Sequence, residues 1–318
     1  MFENRKIKIA IAGIGGIGGY IGGKLAKYYS SIENVEIIFI ARGEMAEAIN
    51  KNGLKLISKD ISYKCVPTLT SDDPIKIGTI DILIMCTKNF SVTDVLKKYT
   101  SCLTPNSIVI TTQNTVNGKE TITPYLPNGA ILMEGSIYIA SNIIKPGKIE
   151  HVSGPAKLFF GTEGQFNSKG EEIAKIFNNA GIDTIYTTNI KSVLWKKFMF
   201  VSPAAVVTAL FQITFSEILE TRESEYLFIN LISELMQLAK AKNIDIDDNA
   251  VLNNINLLSN FKGNVKSSFQ LDLEKSKPTE INSLVTYVIE EAKKFQIPTP
   301  YFDSALTQLI KEYKTLKN

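Results

Sequence analysis

Apolar residues in the first half of the chain fall in short, nearly continuous runs, each with a polar residue near one end: Ile7–Ala12, then 35–41, 80–86 and 107–112. Runs of four to eight apolar residues without polar alternation are the pattern of strands buried on both faces. Helical spacing lies between them, through Ile21, Leu25 and Tyr28 and again over 92–99. Strands alternating with helices predict a parallel sheet covered on both sides. Segments 54–57 and 64–68 predict two shorter strands. Residues 135–161 are β-rich, with turn signals at Pro146-Gly147 and Gly154-Pro155. From about Lys191 the period changes to that of helices. Leu227, Leu231, Leu235 and Leu238 mark one helix over 225–242, and two more are expected over 279–295 and 301–313. Pro278 and Pro300 stand where helices commonly begin. The pattern predicts an α/β domain followed by an all-α domain, with residues 1–188 in the first, 189–318 in the second and a polar break at 187–190.

A length of 318 residues accommodates two domains. A net charge of +3 is too small to point to nucleic acid or an anionic membrane surface. Arg5, Lys6 and Lys8 before an apolar run imitate a secretion signal, but that run is short and rich in glycine, and no segment approaches about 18 consecutive apolar residues. Three cysteines, Cys65, Cys86 and Cys102, are odd in number and lack C-x-x-C spacing, which fits a reducing compartment and gives no metal signature. A cytoplasmic protein is expected.

The first strand runs into Gly13-Ile14-Gly15-Gly16-Ile17-Gly18 and a helix follows. In such a turn Gly13 allows the bend, Gly15 lets the backbone approach a pyrophosphate, and Gly18 lets the helix pack on the sheet. The helix N-terminus then offers free N–H groups and the positive end of its dipole to phosphate. Strand, G-x-G-x-x-G and helix together predict a Rossmann-type dinucleotide site. Ligands bind such sheets beyond the carboxyl ends of the strands, here 13–18, Arg42, Thr87-Lys88 and Gln113-Asn114. The second strand ends in Ala41-Arg42-Gly43 with no acid for a ribose 2′-hydroxyl, and Arg42 suits a 2′-phosphate. NADP(H) is the expected cofactor.

Carbonyl reduction needs a proton donor. The only histidine, His151, lies in an alternating segment that reads as strand near a turn, and a structural role is expected for it. Lysine and tyrosine are then the candidates. Lys196 and Lys197 follow Trp195, and Glu280 falls in the first turn of a late helix, where it could support a lysine.

These segments occur in an order that resembles the ketopantoate reductase (2-dehydropantoate 2-reductase) family. Besides the glycine turn, Ala41-Arg42-Gly43, Thr87-Lys88, Gln113-Asn114 and Gly154-Pro155-Ala156 carry the resemblance. So do Trp195-Lys196-Lys197-Phe198, Thr208-Ala209-Leu210, Ser267-Ser268 and Pro278-Thr279-Glu280-Ile281. The resemblance spans nearly the whole chain. It implies NADPH-dependent reduction of 2-dehydropantoate to pantoate, a step toward pantothenate and coenzyme A. It also implies roles: Lys197 as proton donor, Glu280 binding substrate and supporting Lys197, and Asn114 beside nicotinamide and substrate. Ser268 would hydrogen-bond the substrate, and Lys88 would lie near the cofactor phosphate. A second copy of the chain could pair through the helical domain.

Some positions depart from the family pattern. Val201 and Ala205 stand where the family has asparagines that bind the substrate's polar groups. Q-N-G becomes Gln113-Asn114-Thr115, and an asparagine common before S-S is replaced by Val265 or displaced to Asn264. A reductase of a more apolar 2-oxo or imino acid is therefore the first alternative. A non-catalytic NADPH sensor is the second, although a sensor has no need of Lys197.

Overall fold

The computed structural model describes residues 6–59, 61–261 and 263–313; Arg5 lies outside them. The chain divides into two compact units. One holds the residues up to Gln113 together with 117–190, the other 114–116 together with the chain from Lys191 onward.

The strands of the first unit are β1 (Ile7–Ala12), β2 (Val35–Ile40), β3 (Leu54–Ser58), β4 (Ile61–Cys65), β5 (Leu69–Ser71), β6 (Ile82–Met85), β7 (Ile108–Thr111), β8 (Ile131–Lys145), β9 (Lys148–Gly161) and β10 (Thr184–Thr187). They form one sheet in the order β4-β3-β9-β8-β7-β6-β1-β2-β5, with β10 beside β9. Its helices are α1 (Gly16–Tyr29), α2 (Gly43–Asn52), α3 (Pro74–Ile77), α4 (Val92–Tyr99), α5 (Gly118–Ile122) and α6 (Ser168–Asn179).

The nearly continuous apolar runs have the expected cause. Side chains alternate across a strand, so a sheet covered on both faces needs apolar residues at every position. Ile9, Ile11, Ile37, Phe39, Ile82 and Ile84 pack on one face with Ile21 and Leu25 of α1 and Ile173 and Phe177 of α6. Ala10, Ala12, Ile38, Ile40, Leu83 and Met85 pack on the other with Val92, Leu96 and Tyr99 of α4.

The sheet is mixed rather than parallel throughout. β1, β2, β5, β6, β7 and β8 are parallel, but β8 turns back on β9 and β3 on β4 in antiparallel pairs. The Pro146-Gly147 turn makes the first hairpin, with Gly147 at φ +74°. The strand expected over 64–68 is displaced. β4 ends at Cys65, before Pro67, and a separate β5 joins the far edge of the sheet. Gly154-Pro155 is not a turn. It lies inside β9 at a register shift opposite Tyr138 and Ala140, where Gly154 and Ala156 both have positive φ. The glycine and proline that signalled a reversal serve a bulge instead.

The second unit contains α7 (Ile190–Phe211, within this unit from Lys191), α8 (Arg222–Ala241), α9 (Ala250–Ser259), α10 (Ser268–Glu274), α11 (Tyr287–Lys294) and α12 (Pro300–Glu312). By length and composition α7 could cross a membrane, with a mean hydropathy of 1.4, but 72% of its apolar window is buried inside the protein. It is the core helix, apolar on all sides because other helices surround it. Trp195, Phe198 and Met199 of α7 pack with Phe228, Leu231 and Leu235 of α8 and Val288 and Ile289 of α11. Pro300 opens α12 as expected, and the buried Glu234 carboxylate accepts from Tyr301 N at 2.8 Å and Phe302 N at 3.1 Å. Pro278 does not open a helix. The helical path begins at Ile281, and residues 282–286 form a π-helical segment before α11.

Candidate active site

In the first unit the glycine turn carries the features expected of a phosphate cradle. Gly13 has φ +92°, and a Cβ there would meet Thr87 Cγ2 at 2.8 Å. A Cβ on Gly18 would lie 2.0 Å from the Gly13 carbonyl oxygen, so helix and turn touch through this glycine. A Cβ on Gly15 would meet nothing within 4 Å, which leaves room for a ligand at the middle of the motif. Gly15 is the N-cap of α1 and no side chain caps the helix, so its first N–H groups remain for an anion. Ile14 is buried and Ile17 half-buried, and both anchor the turn on the core. Gly16 is fixed by Ser141, whose hydroxyl donates to its carbonyl at 3.0 Å.

Three further strand ends lie where the sequence placed them. Arg42 follows β2 as the exposed N-cap of α2, and the nearest acid in sequence, Glu44, lies in the first turn of that helix. Lys88 follows β6 and is half-buried. Gln113 follows β7, and its side-chain amide donates to Met85 O and Thr87 O, both at 2.9 Å, tying the two strand ends together. Gln113 Oε1 and Thr87 Oγ1 are buried and, among the described residues, have no hydrogen-bond partner. Buried oxygens are rarely left so, and both sit at carboxyl ends of strands, where such sheets take ligands.

His151 has the structural role expected of it. Its Nδ1 lies 3.0 Å from Ser58 Oγ and its Nε2 3.0 Å from the carbonyls of Ser153 and Gly154. Nε2–H therefore donates to the carbonyls, and Tyr20 packs edge-on against the ring. The thiols are also quiet: burial pushes Cys65 up to about 11 and Cys86 to about 12.

The second unit holds the candidates for chemistry. On α7, Trp195 and Phe198 are buried in the core, Lys196 is exposed and Lys197 is partly buried. Burial lowers the Lys197 pKa to about 8, while the negative charge of Glu280 opposes that shift. Glu280 is itself buried, just before the π-helical segment, and its carbonyl accepts from Ser283 N at 3.1 Å and Leu284 N at 2.9 Å. Ser202, in the next turns of α7, donates to Leu284 O at 2.6 Å and fixes that segment against the helix that carries Lys197. Asn114 belongs to this unit, with the neighbouring Val116 packed on its apolar core, and Asn114 Oδ1 is buried without a partner among the described residues.

Lys197, Val201, Ala205 and Thr208 are spaced four, four and three residues apart, so they line one stripe of α7. At the end of that stripe a chain of hydrogen bonds runs in one direction. Gln270 N donates to Ser267 Oγ at 3.1 Å, Ser267 Oγ lies 2.9 Å from Thr208 Oγ1, and Thr208 Oγ1 donates to Ala205 O at 3.3 Å. Ser267 is thus engaged as the N-cap of α10, whereas Ser268 is exposed. The sequence did not single out Gln270, because burial without a partner leaves no trace in spacing.

Known proteins match the chain along its length. A family model described as "Ketopantoate reductase PanE/ApbA" matches residues 9–164, and its C-terminal counterpart matches 189–314. The chain belongs to the ketopantoate reductase family. It is 27% identical to a 2-dehydropantoate 2-reductase of Pyrococcus horikoshii, over 98% of each protein. It is 25% identical to the uncharacterized oxidoreductase YkpB of Bacillus subtilis, over 95% of this chain and 98% of that protein. The crystal structure of a PanE/ApbA family ketopantoate reductase from Ralstonia eutropha superimposes with a TM-score of 0.88 at 23% identity, covering 98% of this chain and all of the other, a likeness of fold. Within this ketopantoate reductase framework, the stripe beyond Lys197 is apolar at Val201 and Ala205, and Ala205 is buried at 2% exposure among apolar side chains.

Proposed function

We propose that the protein is an NADPH-dependent 2-oxo acid reductase acting on 2-dehydropantoate, with Lys197 as proton donor. The observation that carries this reading is a lysine on the core helix α7 of a ketopantoate reductase family chain, with the charge of Glu280 acting on it and burial lowering its pKa to about 8. An ordinary lysine near 10.4 holds its proton too tightly to be an efficient acid at neutral pH, and a donor works best with a pKa near the working pH. At pH 7 a group of pKa about 8 is still mostly protonated.

The residues of the first unit fit a dinucleotide. Gly13, Ile14, Gly15, Gly16, Ile17 and Gly18 with the uncapped α1 would take the pyrophosphate, Arg42 the 2′-phosphate, and Lys88 the region near it. Asn114 Oδ1, buried and unpartnered, would meet the nicotinamide side. When bound, a reduced nicotinamide supplies hydride to the carbonyl carbon. Lys197 Nζ transfers a proton to the carbonyl oxygen, which becomes the hydroxyl of the product, and Glu280 holds the ammonium charged until that transfer. Ser268, exposed at the start of α10, supplies a hydroxyl to the substrate. This reading carries with it a cytoplasmic setting and a homodimer paired through the helical unit.

Val201 and Ala205 favour a second version, in which the substrate is a more apolar 2-oxo or imino acid. Steady-state oxidation of NADPH and NADH against a panel of 2-oxo acids separates the two. Preference for 2-dehydropantoate supports the first version and preference for an unhydroxylated acid the second. A chain inert toward every acid sinks both.

A further inference from the structure

Gln270 is 1% exposed, and both its side-chain oxygen and nitrogen are buried without a hydrogen-bond partner among the described residues. A carboxamide sealed at both ends costs free energy, and most such groups in folded proteins are paired. Its position is tied to the α7 stripe. Through Ser267 and Thr208, three hydrogen bonds connect its backbone nitrogen to the Ala205 carbonyl. The other buried residues of α10, Phe269 and Leu273, join the apolar cluster that contains Ala205. One carboxamide without a partner among the described residues is thus carried by α10, whose N-cap Ser267 is hydrogen-bonded to Thr208 on the α7 stripe, and on that stripe Val201 and Ala205 offer no polar group.

We propose that Gln270 is a specificity-determining residue whose carboxamide, after rotation of its side chain, hydrogen-bonds a hydroxyl carried by the 2-oxo acid substrate. The inference rests on the reductase reading above and names the polar contact that reading lacks. A carboxamide both donates and accepts, so it matches a hydroxyl, which also does both. A site with such a group discriminates strongly against an analogue lacking the hydroxyl, because the buried amide is then left unpaired.

The test uses the full chain and two acids that differ by one group: 2-dehydropantoate and 3,3-dimethyl-2-oxobutanoate, the same skeleton without the hydroxyl. Gln270→Leu removes both polar ends and keeps the volume. The expected result is a fall of about tenfold or more in the ratio of kcat/KM between hydroxylated and unhydroxylated acid, with NADPH affinity unchanged and Tm equal or higher. Gln270→Met provides the same comparison if the leucine variant fails to fold. An unchanged ratio, or both acids losing activity in parallel, overturns the role of Gln270 and leaves the reductase reading standing. A wild-type chain inert toward both acids overturns the reductase reading and this one with it.

Discussion

Glu280 opposes the fall that burial imposes on the Lys197 pKa, and the balance leaves the ammonium near 8. The two groups come from separate segments, α7 and the residue before the π-helical turn, joined by the Ser202 to Leu284 hydrogen bond. A lysine must carry its extra proton to act as a donor, which gives the proposed reaction a pH dependence of definite sign. With Lys197 as the proposed donor, kcat/KM for reduction is expected to be flat below about pH 8 and to fall tenfold per pH unit above it. A pH profile of NADPH oxidation measures the limb, and a rate that stays level to pH 10 excludes Lys197 as the acid.

Replacing Glu280 by glutamine removes the charge that favours the ammonium. The Lys197 pKa then drops further, because desolvation is no longer opposed. The basic limb of the Glu280→Gln profile is expected to move to lower pH by about one unit. A limb that stays in place while kcat falls would mean that Glu280 binds substrate without tuning the lysine.

The glycine turn makes a contrasting pair of predictions. Gly15 faces open space and has φ −88°, so Gly15→Ala is expected to fold normally. Its methyl group would occupy the space left for a pyrophosphate, so dinucleotide affinity should fall about tenfold or more. Gly18→Ala places its methyl 2.0 Å from the Gly13 carbonyl and must displace backbone. A thermal melt should show Tm lowered for Gly18→Ala and unchanged for Gly15→Ala. Equal losses of Tm would mean that the motif is only a packing turn.

What the sequence revealed and concealed follows from which interactions are local. The two-faced burial of β1, β2 and β6 was legible because each face draws on alternate residues of one run. The structural role of His151 was legible from its alternating strand context. The bulge at Gly154 was not, because Gly-Pro marks positive φ and a missing donor without saying whether the chain then reverses or continues. Lys196 and Lys197 are equivalent in sequence, and only the family pattern chose between them. Their difference in burial depends on α7 lying in the core, which is a tertiary fact. Gln270 was invisible for the same reason.

Arg42 decides the cofactor in this reading. An exposed guanidinium at the end of β2, whose own sequence ends without an acid, favours a phosphate over a free hydroxyl, and its charge also reaches Asp72 at the end of the neighbouring β5. Arg42→Ala should weaken NADPH binding by about tenfold or more and leave NADH binding nearly unaltered. Titration of each cofactor by fluorescence measures the ratio, and equal losses for both would remove the 2′-phosphate role.

The two apolar positions on the α7 stripe should answer differently to the same substitution. Val201 is only partly buried, so Val201→Asn can keep its amide near the surface of the core, and Tm is expected to change little. The added donor and acceptor should raise preference for a hydroxylated 2-oxo acid over its unhydroxylated analogue several-fold. Ala205 is 2% exposed within the apolar cluster, so an asparagine there buries an amide without an assigned partner. Ala205→Asn should cost about 1–3 kcal/mol and lower Tm by several degrees. Denaturant titration of the two variants checks the contrast. If Ala205→Asn proves as stable as the parent chain, that end of the stripe has room for a polar group, and the case for an apolar substrate built on Ala205 fails.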